Sequence, residues 1–240
     1  MVCRGPPHSV LPLRRMPLSI EASSGDSGWQ ARALRRSLDT ARARSIERSR
    51  RIVAAVRDLA NEAGSAGFTV AQVAQRAGLS LKSAYRCFAG KDDLLLALLE
   101  EESRVGAEIL AERIDAHTGP AARLRTFVEG IFELLTHPGA IGYARVLIGE
   151  QHRLSDERPN ELRGALSPLV GLLAQEVRGA RAAGVIDPGD VDRAAETMFG
   201  IVLGGIADVT RGRGDPVETA AWVWMFCLYG LRGHAEDSES

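Results

Sequence analysis

Leu81, Lys82, Ser83 and Arg86 lie close together in the segment LSLKSAYRC, and they are residue types that read the edges of DNA bases. Lysine and arginine suit the paired acceptors of guanine, and an apolar side chain meets the thymine methyl. Around them stand groups suited to the duplex backbone: the hydroxyls of Thr69, Ser80 and Tyr85, and the cations Arg51 and Lys91. Thr69 and Ser80 also suit helix capping, Tyr85 could equally be a core ring, and Lys91 could stand in solvent.

Such a set works only if helices hold it at one surface. The block TVAQVAQRAGLSLKSAYRCFAGK, Thr69 to Lys91, predicts two short helices joined by a Gly-Leu-Ser turn. Thr69 caps the first, whose buried face is Val70, Val73, Ala74 and Ala77; Gly78 ends it and Ser80 caps the second. In that second helix Ala84, Tyr85 and Phe88 are expected to reach inward, leaving Leu81, Lys82, Ser83 and Arg86 on the other face. Upstream, Ile52, Val56, Leu59, Ala60 and Ala63 recur at three- and four-residue steps and predict a helix from about Ser45 to Ala63. Downstream, Ala89-Gly90 breaks the chain and a long helix opens near Lys91. This is a helix-turn-helix layout, which offers one helix to a major groove.

The charge distribution agrees. Residues 1–44 hold eight arginines against three acids, residues 45–95 eight basic residues against five acids, and the remainder fourteen against twenty-three. A basic front and an acidic back fit a polyanionic partner at one end only. Residues 1–44, rich in Arg, Pro, Gly and Ser, read as a disordered arm, either a solvated tail or a segment that tracks phosphates; 234–240 read as a disordered tail. With aromatics at 5%, no period-two strands, and amphipathic stretches near 120–136, 139–152, 159–184, 188–210 and 215–232, the chain reads as all-α.

Other classes find no support. Cys3, Cys87 and Cys227 are scattered, the histidines lack ligand spacing, and no nucleophile–base pair or metal cluster is spaced for catalysis. A non-enzymatic protein without metal or cofactor is expected. No run of about 18 apolar residues would span a membrane, and the N-terminus lacks the apolar core of a secretory signal. A reducing cytoplasm is the expected compartment.

The Thr69–Lys91 block resembles the DNA-binding domain of the TetR family of bacterial transcriptional regulators, and the likeness extends over about residues 48–97. It rests on Ile52, Ala55, Gly64, Phe68-Thr69-Val70, Val73-Ala74, Ala77-Gly78, Ser80, Ser83, Tyr85, Phe88, Lys91 and Leu94-Leu95. The resemblance implies a helix-turn-helix domain (residues 45–92), in which Lys91 contacts the DNA backbone, and a helical ligand-binding and dimerisation domain (93–233). It implies a homodimer on a double-stranded operator, most simply a repressor released by a small-molecule effector. Lys82 replaces a residue that is usually small in the family, Ala84 a larger apolar one, and Cys87 stands where His, Tyr or Arg is common. Cys87 beside Arg86 also admits a thiol-responsive regulator as an alternative.

The last two helices carry a second signal. AAETMFGIVLGGIADV has Gly200, Gly204 and Gly205 spaced for close backbone approach, and AAWVWMFCLYGL is apolar almost all round. Packing both against a second copy would form a four-helix dimer interface. Phe132, Tyr143, Leu147 and Met198 are candidate walls of the effector site, with Arg145, Glu150 and His152 as candidate polar contacts.

Overall fold

The structure, a computed structural model, describes residues 28–137 and 139–231. Among these residues it comprises α1 (Gly28–Ala63), α2 (Val70–Arg76), α3 (Leu81–Cys87), α4 (Lys91–Asp115), α5 (Pro120–Glu133), a short 3-10 turn (Leu134–Thr136), α6 (Ala140–Glu157), α7 (Pro159–Ala182), α8 (Val191–Thr210) and α9 (Pro216–Leu231). The all-α class holds. No helix among the described residues is long and apolar enough to cross a membrane.

One expectation is corrected at the front of the chain. The whole of 1–44 reads as disordered from sequence, yet α1 already begins at Gly28. Ala, Leu and Arg lose little side-chain freedom in a helix, so this stretch needs no apolar face to be helical. Within it Trp29, Leu34 and Leu38 are exposed. Residues 1–27 and the tail at 234–240 lie outside the described residues.

From Arg44 onward the helices bury two apolar clusters. One unites the head: Ile52 and Val56 of α1, Val73 and Ala74 of α2, Ala84 of α3 and Leu94, Leu95 and Leu98 of α4, continued by Val146, Leu154 and Leu162. The other fills the body with Phe127, Phe132, Leu173, Met198, Val202, Val223 and Trp224. The boundary expected after residue 92 therefore falls inside a continuous element. The start of α4 completes the head core, while its Leu110 and Ile114 belong to the body core.

Polar groups left open by the helices find partners, at the surface and inside. Pro168 inside α7 has no N–H to offer the carbonyl of Gly164, and the hydroxyl of Ser167 donates to that carbonyl instead at 2.8 Å. Buried Ser103 accepts the N–H of Leu169 at 3.3 Å. Buried Glu176 is gripped by both edges of the Arg123 guanidinium, each at 2.8 Å.

Two glycines set helix spacing. A Cβ on Gly130 would meet Leu110 Cδ2 at 2.6 Å, and one on Gly205 would meet Phe132 Cζ at 2.8 Å and Val223 Cγ2 at 3.1 Å. Alanine is the better helix former by about 1 kcal/mol, but overpacking a rigid, fully buried ring costs about 1–3 kcal/mol. Gly205→Ala is therefore expected to lower the melting temperature, whereas Gly164→Ala on open α7 surface should raise it slightly; thermal unfolding of the two variants checks the contrast.

Candidate DNA-binding head and ligand cavity

The head is assembled by local capping and a few long-range donors. Thr69 and Gln72 form a capping box: the Gln72 N–H donates to Thr69 Oγ1 at 3.2 Å, and the Thr69 N–H to Gln72 Oε1 at 2.8 Å. Gly78 takes φ +64°, the left-handed conformation that closes α2, and Ser80 Oγ accepts the N–H of Ser83 at 3.2 Å to start α3. Arg51 reaches in from α1 and donates to the carbonyl of Ala77 and, at 3.4 Å, to that of Gly78. The left-handed φ of Gly78 favours glycine, and a Cβ there would lie 2.8 Å from Arg51 Nη2, so that the mobile end of Arg51 would have to shift.

This geometry sorts the DNA-contact candidates. Ala84 is fully buried and turns α3 so that Leu81, Lys82, Tyr85 and Arg86 are exposed side by side, with Ser83 half-buried at the edge. Tyr85 corrects an expectation: it is 52% exposed instead of packed inward, because Ala84 and Phe88 already fill the contact with the head. Arg51 and Lys91 also differ from free phosphate ligands. Arg51 holds the α2–α3 turn, while Lys91 donates to the carbonyl of Ala66 and stands 5.2 Å from the centroid of the Phe68 ring. Cys87 is half-buried against the head core.

At the start of α4, Asp93 Oδ2 accepts the N–H of Ala89 at 2.8 Å and Oδ1 pairs with Arg158 Nη1 at 2.5 Å. Asp92 pairs with Arg153 of α6 at 2.6 Å. These bonds tie the root of α4, next to the head, to the two helices that follow the body's 3-10 turn.

In the body, α4, α6, α7 and α8 enclose a cavity of about 350 Å³. Leu99, Gly106 and Ile109 come from α4, Tyr143, Leu147 and Ile148 from α6, Leu169 from α7, and Phe199 and Leu203 from α8. The wall is mostly apolar; its polar members are Glu102, Ser103, Tyr143 and Gln151, and of these Glu102 and Tyr143 meet. Glu102 Oε1 accepts the Tyr143 hydroxyl at 3.1 Å and Arg57 Nε of α1 at 2.6 Å. Burial, reinforced by the neighbouring Glu102 charge, pushes the Tyr143 hydroxyl well above its ordinary range, so it stays protonated.

Comparison with known proteins settles the family. Residues 52–98 match the model for bacterial regulatory proteins of the tetR family, and residues 122–216 match the AefR-like transcriptional repressor C-terminal domain. The chain belongs to the TetR family. No curated protein matches significantly. Among solved structures, the TetR-family fold is shared with the transcriptional regulator FadR from Bacillus subtilis in complex with stearoyl-CoA. That likeness has 22% identity and a TM-score of 0.63, covering 76% of this chain and 98% of that one. It is shared with Thermus thermophilus FadR, a transcriptional repressor in complex with lauroyl-CoA, at 18% identity and TM-score 0.62 over 80% and 99% of the two chains. RolR in complex with resorcinol aligns at 17% identity and TM-score 0.62 over 79% and 89%.

Within this TetR-family body, Tyr143 and Leu147 line the cavity, whereas Phe132 and Met198 do not. Both are buried in the body core, where large side chains pack without leaving space, and Phe132 presses on Gly205. Of the polar candidates, Arg145 donates to the carbonyl of Thr210 at 2.8 Å at the end of α8, Glu150 pairs with Arg153, and His152 is exposed. Glu102, Ser103 and Gln151 take the polar places in the wall. In sequence Glu102 and Ser103 sit in the run EEES, which reads as a solvated face.

The arginine partner and the backbone N–H hold Asp93 below the usual carboxylate range. A depressed folded value means that the contribution is complete above the unfolded pKa, about 3.9, and is lost as pH falls through the folded value. Asp93→Asn is expected to cost about 1–2 kcal/mol near pH 7. That difference should shrink on acidification below about pH 4, as denaturant unfolding at several pH values would show.

Proposed function

We propose that this transcriptional regulator is a cytoplasmic repressor that binds its operator as a homodimer and is released when a small apolar effector enters the body cavity. The observation that carries the DNA-binding mode is the exposed face of α3. Leu81, Lys82, Tyr85 and Arg86 are held side by side by a capped helix whose opposite face is buried, and the side chains of Lys82, Tyr85 and Arg86 have no hydrogen-bond partner among the described residues. Lys82 and Arg86 are the base-reading cations, Leu81 the apolar contact, and the Tyr85 hydroxyl a phosphate donor. Arg51, Thr69, Ser80 and Lys91 support this face chiefly by holding the turns around it.

Dimerisation through α8 and α9 is supported by a face that one copy leaves open. Trp222 is 64% exposed and stacks on Phe226, ring centroids 5.5 Å apart, with Val217, Met225 and Tyr229 exposed on the same helix. Gly200 and Gly204 are exposed on α8, where a second backbone could approach. Trp224, by contrast, points into its own core. An apolar patch of this kind suits an isologous interface, which would set two copies of α3 one turn of DNA apart.

Release follows from shared parts. The helix that carries Tyr143, Leu147 and Gln151 into the cavity also carries Arg153 to Asp92 at the root of α4. A ligand that displaces α6 therefore acts on the helix that completes the head. The mostly apolar wall supports an effector with a large apolar part, and the FadR and RolR folds are found with ligands that have one, an acyl chain and an aromatic ring. The thiol-responsive alternative has less on its side, since Cys87 packs against the head core.

Fluorescence anisotropy with the DNA upstream of the gene tests the reading. Binding should weaken steeply with salt. Lys82→Ala and Arg86→Ala should each cost about 1–3 kcal/mol with the fold intact. Trp222→Glu should yield a monomer in sedimentation and weaken DNA binding at the same protein concentration. Salt-independent binding, or unchanged affinity in both α3 variants, would sink the proposal.

A further inference from the structure

The polar end of the cavity also constrains what can enter it, on the reading that the cavity is the effector site. No Lys, Arg or His belongs to its wall among the described residues, so Glu102 supplies the wall's one formal charge. Arg57 reaches Glu102 from α1 and is not itself part of the wall. Glu102 Oε1 is doubly occupied, by Arg57 and Tyr143, whereas Oε2 has no partner among the described residues. The Tyr143 hydroxyl donates its proton to Glu102, and its oxygen in turn faces the Arg57 guanidinium. Glu102 Oε2 thus remains the open acceptor of this group.

We propose that Glu102, with Tyr143, selects the effector: an apolar molecule whose polar end is a hydroxyl or amino donor, with a carboxylate end excluded. A donor completes the open lone pair of Glu102 Oε2, beside the Tyr143 hydroxyl that holds the other oxygen. A carboxylate would bring a second negative charge beside Glu102, whose cationic partner Arg57 is already engaged and lies outside the wall.

Calorimetry on the full-length protein with 4-hexylphenol and 4-hexylbenzoate tests this. The phenol is expected to bind about tenfold more tightly or better, the margin of a hydrogen bond to a charged group. Glu102→Gln keeps the shape but removes the charge, and should bring the two probes within about threefold, mainly by admitting the benzoate. Tyr143→Phe should weaken the phenol a few-fold while the benzoate stays excluded, so the proposal remains testable if the Glu102 variant folds poorly. Leu147→Trp, which fills the cavity, should abolish binding of both. Equal binding of the two probes to the wild-type protein, or a phenol preference untouched by Glu102→Gln, would overturn the selector role and leave the cavity as an effector site. Binding of neither probe, or binding that survives Leu147→Trp, would overturn both readings.

Discussion

Everything in the body and head after Arg44 depends on α4 being one uninterrupted helix shared by two cores. Its first turns bury Leu94, Leu95 and Leu98 among α1, α2 and α3, and its last turns bury Leu110 and Ile114 among α5, α7 and α8. Between them, Leu99, Glu102 and Gly106 form a wall of the cavity. Close-packed interiors resist continuous deformation, so neither end of α4 can move without repacking a core. The middle, facing open volume, is where movement is least constrained.

The ion pairs follow the same logic. Asp92 and Asp93 sit at the N-terminus of α4, a favourable place for negative charge, and Arg153 of α6 and Arg158 of the α6–α7 junction pair with them. Arg57 and Glu102 join α1 to α4 further along. These pairs are partly exposed, and each contributes modestly to stability. Their greater effect is geometric: they fix which helices share the head's position.

Legibility from sequence tracked the range of the interaction. Thr69, Gly78 and Ser80 were readable because capping and left-handed turns are decided within a few residues, and the helix ends near Pro and Gly agree for the same reason. Arg51 and Lys91 read as free cations, since nothing local shows that a carbonyl some 25 residues away will accept from them. Tyr85 and Phe132 went astray in opposite directions. An aromatic ring's affinity for burial is evident in sequence, but which ring finds room is settled by the neighbours. The cavity was hardest: its walls are half-buried aliphatics and a glutamate from an acidic run, types that look like ordinary core edge and ordinary surface.

Gly130 and Gly205 bring the body's helices close enough that the space of a single methyl group is already taken. Apart from Leu110, which meets Gly130, the cavity wall is under no such restriction, since exchanging one aliphatic residue for another there changes volume without moving a backbone. Evolution can therefore rewrite what such a body accommodates while the glycines hold the frame still. The same separation makes the scaffold a convenient starting point for altered ligand preference: diversity belongs in the wall, and the two glycines are the positions to leave alone.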